Sequence, residues 1–210
     1  MQYFISYADP LKQAICKIIR HPEMHARWIN TLSYLENCGA RKIARCEHPT
    51  LVREEILKHA SEEFRHAHYL KRQIGKVVSY RLEDYSPKNL LGGSDTLSYL
   101  NRLDLYVSRI LTTRVELSKN DVKDGAYTLV TYAIELRAQE LYPIYAACLQ
   151  ELNSTVRVNS IIMEEQEHLC EMQYRINLMQ NSEQLLKHTL NFEGEICKKW
   201  INAIYTSSYG

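Results

Sequence analysis

Two segments of the chain carry the same motif, a pair of glutamates followed by a histidine, within an apolar helical stripe. The first is EEFRH at 62–66, and the second is EEQEH at 164–168. Residues three positions apart share a helix face, so Glu63 lies beside His66, and Glu165 beside His168. The other residues on these faces are mostly apolar, so each face should turn toward a core. An unpaired carboxylate there would cost several kcal/mol, and a shared cation would remove that cost.

Glycine and proline, which interrupt helices, are scarce. The chain has seven glycines and five prolines among 210 residues, too few for the many tight turns of an all-β fold. With 45% hydrophobic residues, the chain can bury one sizeable core. We therefore predict an all-α fold in a single domain, 1–210, with a core bundle at about 23–180.

Capping residues and helix breakers divide the chain into seven helices. Asp9 and Pro10 are typical of a helix start, and we expect Thr50 and Ser182 to cap the third and seventh helices. The segment 79–93 is the one long loop, and the helix after it crosses over to the second half of the chain. The predicted helices cover about 10–20, 23–46, 51–78, 96–113, 121–152, 155–180 and 183–205.

The two remaining long helices should each add one inward carboxylate. Glu36 stands on an uncharged stripe, and Gly39 and Ala40 one turn later leave space for ions or for close helix approach.

On the fifth helix we favour Glu135, with Glu140 as its rival. A tight turn near 153 would bring Glu140 closer to the height of Glu165. However, Glu140 points about 140° away from Glu135 and stands three residues after Arg137, a spacing typical of surface ion pairs. The predicted metal ligands are Glu36, Glu63, His66, Glu135, Glu165 and His168.

Other polar side chains near these positions could support the ligands. His59 precedes Glu63 by one turn, and Tyr132 and Tyr142 flank Glu135, although core packing is the more common role for such residues. Asp104 on the crossover helix could orient a ligand histidine. No catalytic residue beyond the metal ligands follows from the sequence.

One glutamate from each of two helices, with Glu-x-x-His from each of two others, is the pattern of di-iron and di-manganese carboxylate proteins. The segment Glu135-x-x-Ala138-x-x-x-Tyr142 also resembles a signature on ligand helices of the ferritin-like di-iron carboxylate superfamily. This resemblance implies a ferritin-like four-helix bundle with a crossover helix and extra N- and C-terminal helices. Chain length and ligand spacing are similar to those of aldehyde-deformylating oxygenases and tRNA-hydroxylating di-iron monooxygenases, without deciding between them.

The resemblance implies an O2-activating oxidoreductase, an oxygenase or oxidase, that holds two Fe ions, with Mn/Fe and Mn/Mn left open. Glu63 and Glu165 would bridge the two ions. Glu36 and His66 would complete the ligand shell of one ion, and Glu135 and His168 would complete that of the other. The apolar surroundings predict a small or elongated, largely apolar organic substrate beside O2, and turnover would need an electron donor such as a ferredoxin. A ferroxidase or peroxide-scavenging iron-handling protein is the first alternative. A metal-free helical interaction module is the second.

Charge and hydropathy exclude several partner classes. The net charge is +1, from 26 basic and 25 acidic residues, which gives no broad footprint for nucleic acid or acidic membranes. The first ten residues lack the pattern of a signal peptide, and no apolar run reaches the roughly 18 residues of a membrane span. We therefore expect a cytoplasmic protein whose six cysteines, none in a CxxC pair, are reduced. The oligomeric state stays open, a homodimer included.

Overall fold

The computed structural model describes residues 3–48, 50–114 and 119–207, and within these ranges the chain forms helices and no strand. None of the helices in these ranges is both long and apolar enough to cross a bilayer. The prediction of an all-α fold is confirmed. The seven α-helices found in these ranges are α1 (Ala8–Ile19), α2 (Pro22–Ala44), α3 (Glu54–Gln73), α4 (Gly93–Arg114), α5 (Lys119–Glu151), α6 (Asn159–Leu178) and α7 (Ser182–Ser207).

The start of α3 differs from the prediction that Thr50 caps it. The imidazole Nδ1 of His48 lies 3.3 Å from the backbone nitrogen of Thr50 and 3.0 Å from that of Leu51, so both N–H groups belong to a turn outside the helix. α3 begins instead at Glu54, where two acidic residues, Glu54 and Glu55, complement the positive end of the helix dipole.

The helices pack as two long pairs with three further helices around them. α2 packs along α3, and α5 along α6, while α4 contacts α5 and α7, and α1 contacts α5. A single cluster of buried apolar side chains draws on all seven helices. Near its middle, Trp28 of α2 stacks on Trp200 of α7 with ring centroids 5.9 Å apart. The ligand helices α2, α3, α5 and α6 are thereby held in one core.

A disulfide joins Cys16 of α1 to Cys148 of α5, with Cα atoms 5.5 Å apart. The expectation that all six cysteines are reduced is therefore wrong for this pair. The two residues are separated by 132 positions, and sequence spacing alone does not reveal which cysteines meet. The bond ties the first helix to the longest one.

A buried ion pair anchors α7 to α5. Glu193 is fully buried and accepts hydrogen bonds from Arg137 Nε at 2.9 Å and Arg137 Nη2 at 2.8 Å. Arg137 also donates to Glu140 and to the carbonyl of Ile5, and the Tyr99 hydroxyl donates to Glu193. This network holds α4, α5, α7 and the N-terminal segment together on one side of the predicted metal site.

Candidate metal centre

Four glutamates and three histidines from α2, α3, α5 and α6 converge inside the protein. They form two groups, and in each group one potential ligand atom from every residue lies within 4.8 Å of the others. Glu63 belongs to both groups, and all seven residues are buried except Glu36, which is partly exposed. We call these the His59 group and the Glu36 group. The His59 group is His59, Glu63, Glu135 and His168, and the Glu36 group is Glu36, Glu63, His66 and Glu165.

Glu165 lies between two of the histidines. Its Oε1 is 3.0 Å from His66 Nδ1, and its Oε2 is 3.4 Å from His168 Nδ1. Glu63 Oε1 is 3.4 Å from His168 Nδ1 and 3.8 Å from His66 Nδ1. The two glutamates of the repeated motif therefore contact the same pair of imidazoles, as expected of residues that could serve two adjacent ions.

Three buried polar atoms of the centre make no well-aligned hydrogen bond among the described residues, although two of them, Glu165 Oε1 and His66 Nδ1, lie 3.0 Å apart. They are Glu63 Oε1, Glu165 Oε1 and His66 Nδ1. Leaving such an atom unsatisfied costs about 1–3 kcal/mol, and more when it is charged. A cation between these atoms would satisfy all three. Carboxylate oxygens with a few imidazole nitrogens suit Fe(II) or Mn(II), so the residues present fit a metal of this kind.

The first glutamate of each motif binds the histidine of the other motif. Glu164 Oε2 lies 2.7 Å from His66 Nε2, and Glu62 Oε2 lies 2.8 Å from His168 Nε2. With Nε2 held by a carboxylate, each ring turns its Nδ1 toward the centre. Arg65 in turn binds both oxygens of Glu164, at 3.0 and 2.6 Å. Sequence reasoning missed these supporting residues, although the doubled glutamate in both motifs was the feature that could have indicated them.

The carboxylates of the centre shift one another's pKa in opposite directions. Burial, and then repulsion from Glu63, raise the pKa of Glu36 well above its usual range. Burial, and then repulsion from Glu165, do the same to the pKa of Glu135. Burial alone would raise the pKa of Glu165 too, but hydrogen bonds from Glu135, His168 and His66 outweigh it and lower that pKa. A bound cation would relieve the repulsion that contributes to these raised pKa values, and binding it would favour the ionised form of both side chains.

The neighbouring carboxylates favour the protonated form of His168. Burial lowers its pKa, but hydrogen bonds to Glu165 and Glu63 outweigh burial and raise the pKa to about 11. An imidazole must lose its inward proton to bind a metal ion, so proton release should accompany metal binding at this residue also.

His59 lies closer to the centre than a supporting residue would. Its ring is 1% exposed, and its Nε2 is 3.3 Å from Glu135 Oε1 and 3.6 Å from Glu63 Oε1. The His59 and His168 rings are 3.9 Å apart, and His59 Nδ1 is 3.1 Å from the Tyr127 hydroxyl. The His59 group therefore offers two imidazoles and the Glu36 group one.

The two candidate tyrosines differ in position. The Tyr142 hydroxyl donates a hydrogen bond to Glu36. The Tyr132 hydroxyl donates instead to Gln173 on α6, at 2.7 Å, so of these two tyrosines Tyr142 is the one that contacts a predicted ligand.

Two further acidic residues lie away from the histidines. Glu140, the rival to Glu135, accepts hydrogen bonds from Arg137 and from the backbone of Tyr7 and lies outside both groups. Asp104 forms an ion pair with Lys42 at 2.7 Å, so the structure does not show it orienting a ligand histidine.

A cavity of about 410 Å³ reaches the centre from the groove between α2, α4 and α5, and we call it the access cavity. Glu63 and Glu135 form part of its inner end. Gly39 lies beside them, and a β-carbon on this residue would be 3.4 Å from Glu63 Oε2. Any side chain longer than a methyl group at position 39 would therefore fill the space above this carboxylate.

The chain matches no protein-family model, no curated protein and no solved structure. The functional argument therefore depends on the geometry of the centre and of the access cavity.

Proposed function

We propose that this chain is a ferritin-like, non-haem di-iron or Mn/Fe oxidoreductase that activates O2 and acts on an organic molecule in the access cavity. The observation that carries this proposal is that Glu63 is shared by two buried groups of metal-ligand residues beside a cavity. One ion would be held by Glu36, His66 and Glu165, the other by His59, Glu135 and His168, with Glu63 serving both.

Two bound iron ions would supply the electrons that O2 activation requires. The protein's own contribution is to hold the ligands in place and to limit the access of water. Glu62 and Glu164 orient the histidines, and burial of six of the seven ligand residues keeps bulk solvent away. The Tyr142 hydroxyl holds a proton at the carboxylate of Glu36, where it could be passed on during turnover.

The lining of the access cavity favours an organic substrate over iron handling. Much of its wall is apolar, including Ile43, Leu100 and Val130. A hydrated iron ion would find few oxygen ligands along this wall, whereas an apolar molecule would be stabilised there. Sustained turnover would then need an external electron donor, for which a ferredoxin-like protein is suited.

The unpaired atoms of the centre support a metal-binding role over a metal-free interaction module. Burying four carboxylates so close together without a metal ion raises the pKa of Glu36 and of Glu135, and it leaves Glu63 Oε1 and Glu165 Oε1 without a well-aligned hydrogen bond.

The proposal is tested by loading the protein with Fe(II) under anaerobic conditions, then adding O2 and measuring oxygen uptake. We expect uptake to continue with a chemical reductant and an added organic substrate, and to be lost in Glu63→Ala but kept in the control Glu167→Ala, an exposed position on α6. Uptake that is equal in both variants would overturn the proposal. So would uptake that stops when the iron is oxidised and resumes only with fresh Fe(II), which is the behaviour of a ferroxidase.

A further inference from the structure

We propose that the access cavity binds an amphipathic molecule with an anionic head group, its head at the basic outer rim and its apolar end at Glu63 and Glu135. As an identification of the substrate class, this inference rests on the proposed function. As a statement about binding, it concerns the cavity alone.

The access cavity is elongated along three helices. On α2 and the turn after it the lining runs from Gly39 to Cys46, and on α4 from Leu100 to Ser108. At 1.5 Å per residue these stretches are about 10 and 12 Å long. On α5 the lining extends from Glu135 to Val122, about 20 Å. A ligand that fills this space must be longer than it is wide.

Between its two ends the cavity is mainly apolar. The apolar residues of this wall are Ile43, Leu100, Val122, Ala126, Val130 and Ile134. A chain of methylene groups would replace water along this wall at a gain in free energy, whereas a polar chain would leave its own groups unpaired.

The two ends of the cavity differ in charge. The inner end is formed by the carboxylates of Glu63 and Glu135. The outer part carries three basic residues, Lys42, Arg45 and Lys123, and one acidic residue that the structure describes there, Asp104. Lys42 is paired with Asp104, which leaves the exposed side chains of Arg45 and Lys123 to set the charge of the rim.

This polarity orients an amphipathic ligand. An anion is attracted by the basic rim, so its head should remain outside and its apolar end should point along the apolar wall toward the metal ligands. A cationic head would be repelled at the rim. A carboxylate head and a phosphate head both fit this rim, since both offer the anionic oxygens that Arg45 and Lys123 can bind.

Calorimetric titration with four probes of one chain length tests the inference: octanoate, octyl phosphate, octanol and octylamine. We expect octanoate, octyl phosphate or both to bind at least about tenfold more tightly than octanol. Octylamine should bind more weakly than octanol and more weakly than the anionic probes. The double variant Arg45→Glu/Lys123→Glu should lose about tenfold in anion affinity and leave octanol binding unchanged.

The matched control is Lys198→Glu/Lys199→Glu, which makes the same charge change at exposed positions of α7 outside the cavity lining. It should leave all four affinities unchanged. Equal binding of the anions and octanol would overturn the inference. Equal loss of anion affinity in both double variants would also overturn it, because a long-range effect of net charge would then suffice.

To separate this inference from the proposed function, the titration is made with metal-free and with metal-loaded protein, and its result is compared with the O2 uptake of the loaded protein. Anion-selective binding without O2 uptake would refute the enzyme proposal and leave the cavity assignment intact. Oxygen uptake without anion-selective binding would refute only the assigned substrate class.

Discussion

Replacing Glu62 with glutamine is expected to weaken metal binding in the His59 group, although Glu62 is not itself a ligand there. Glu62 Oε2 lies 2.8 Å from His168 Nε2 and so holds the ring with Nδ1 at 3.4 Å from both Glu63 and Glu165. Glutamine keeps the size of the side chain but removes the charge that orients the ring and increases its basicity. Losing such a partner costs 10- to 100-fold in metal affinity, about 1.4–2.7 kcal/mol. Because the Glu62 side chain is 19% exposed and partly screened by solvent, we expect the lower half of this range.

Titration of metal-free protein with Co(II), followed by visible absorption against a competing chelator, measures this loss. The mirror variant Glu164→Gln should weaken the ion bound by His66 instead. Glu167→Gln is the control, because its side chain is 70% exposed and belongs to neither group. If Glu62→Gln and Glu167→Gln bind Co(II) with equal affinity, the reciprocal support between the two motifs is refuted.

Three further results are expected. His59→Phe keeps a ring of similar size but should weaken one of the two metal sites by more than about tenfold, whereas a packing role would leave Co(II) titrations unchanged. Glu193→Leu removes the fully buried partner of Arg137 and leaves that guanidinium with Glu140 as its remaining carboxylate contact, which should cost about 3–5 kcal/mol in urea unfolding, most of it recovered when Arg137→Met is added. Burial lowers the pKa of His25 from 6.5 to about 4, so its neutral form stabilises the fold at neutral pH. That stability, up to about 3 kcal/mol, should be lost as pH falls from about 6.5 to about 4, and His25→Gln should remove this share of the pH dependence, whereas an unchanged profile would contradict it.

Local sequence patterns were enough to predict the fold class and to bring six candidate ligands together. Glu63 with His66, and Glu165 with His168, follow from helical spacing on an apolar stripe, which a single helix determines by itself. Glu36 and Glu135 follow from their positions on otherwise uncharged stripes of the two partner helices. Each of these residues lies in at least one of the two groups, and Glu63 lies in both.

Features that depend on how helices face one another were harder to foresee. The placement of His59 in a metal-ligand group depends on the distance between α3 and α5, since its Nε2 contacts Glu135. Tyr132 and Tyr142 flank the same glutamate, but only the rotation of α5 decides that one binds Gln173 and the other Glu36.

Contacts between residues distant in the sequence had no local pattern to indicate them. The disulfide between Cys16 and Cys148 joins residues 132 positions apart. The turn before α3 depends on the His48 side chain, which accepts hydrogen bonds from the backbone N–H groups of Thr50 and Leu51. Histidine is not among the residues whose side chains usually cap a helix start, so no local pattern indicated this turn.

Elemental analysis of protein purified from cells supplied with iron and manganese tests the central claim most directly, with Glu63→Ala/His168→Ala beside the unmodified chain. The geometry predicts close to two ions per chain, lost in the double variant while the helical circular dichroism spectrum is retained. No bound metal in either protein, with the double variant equally stable or more stable, would contradict the account.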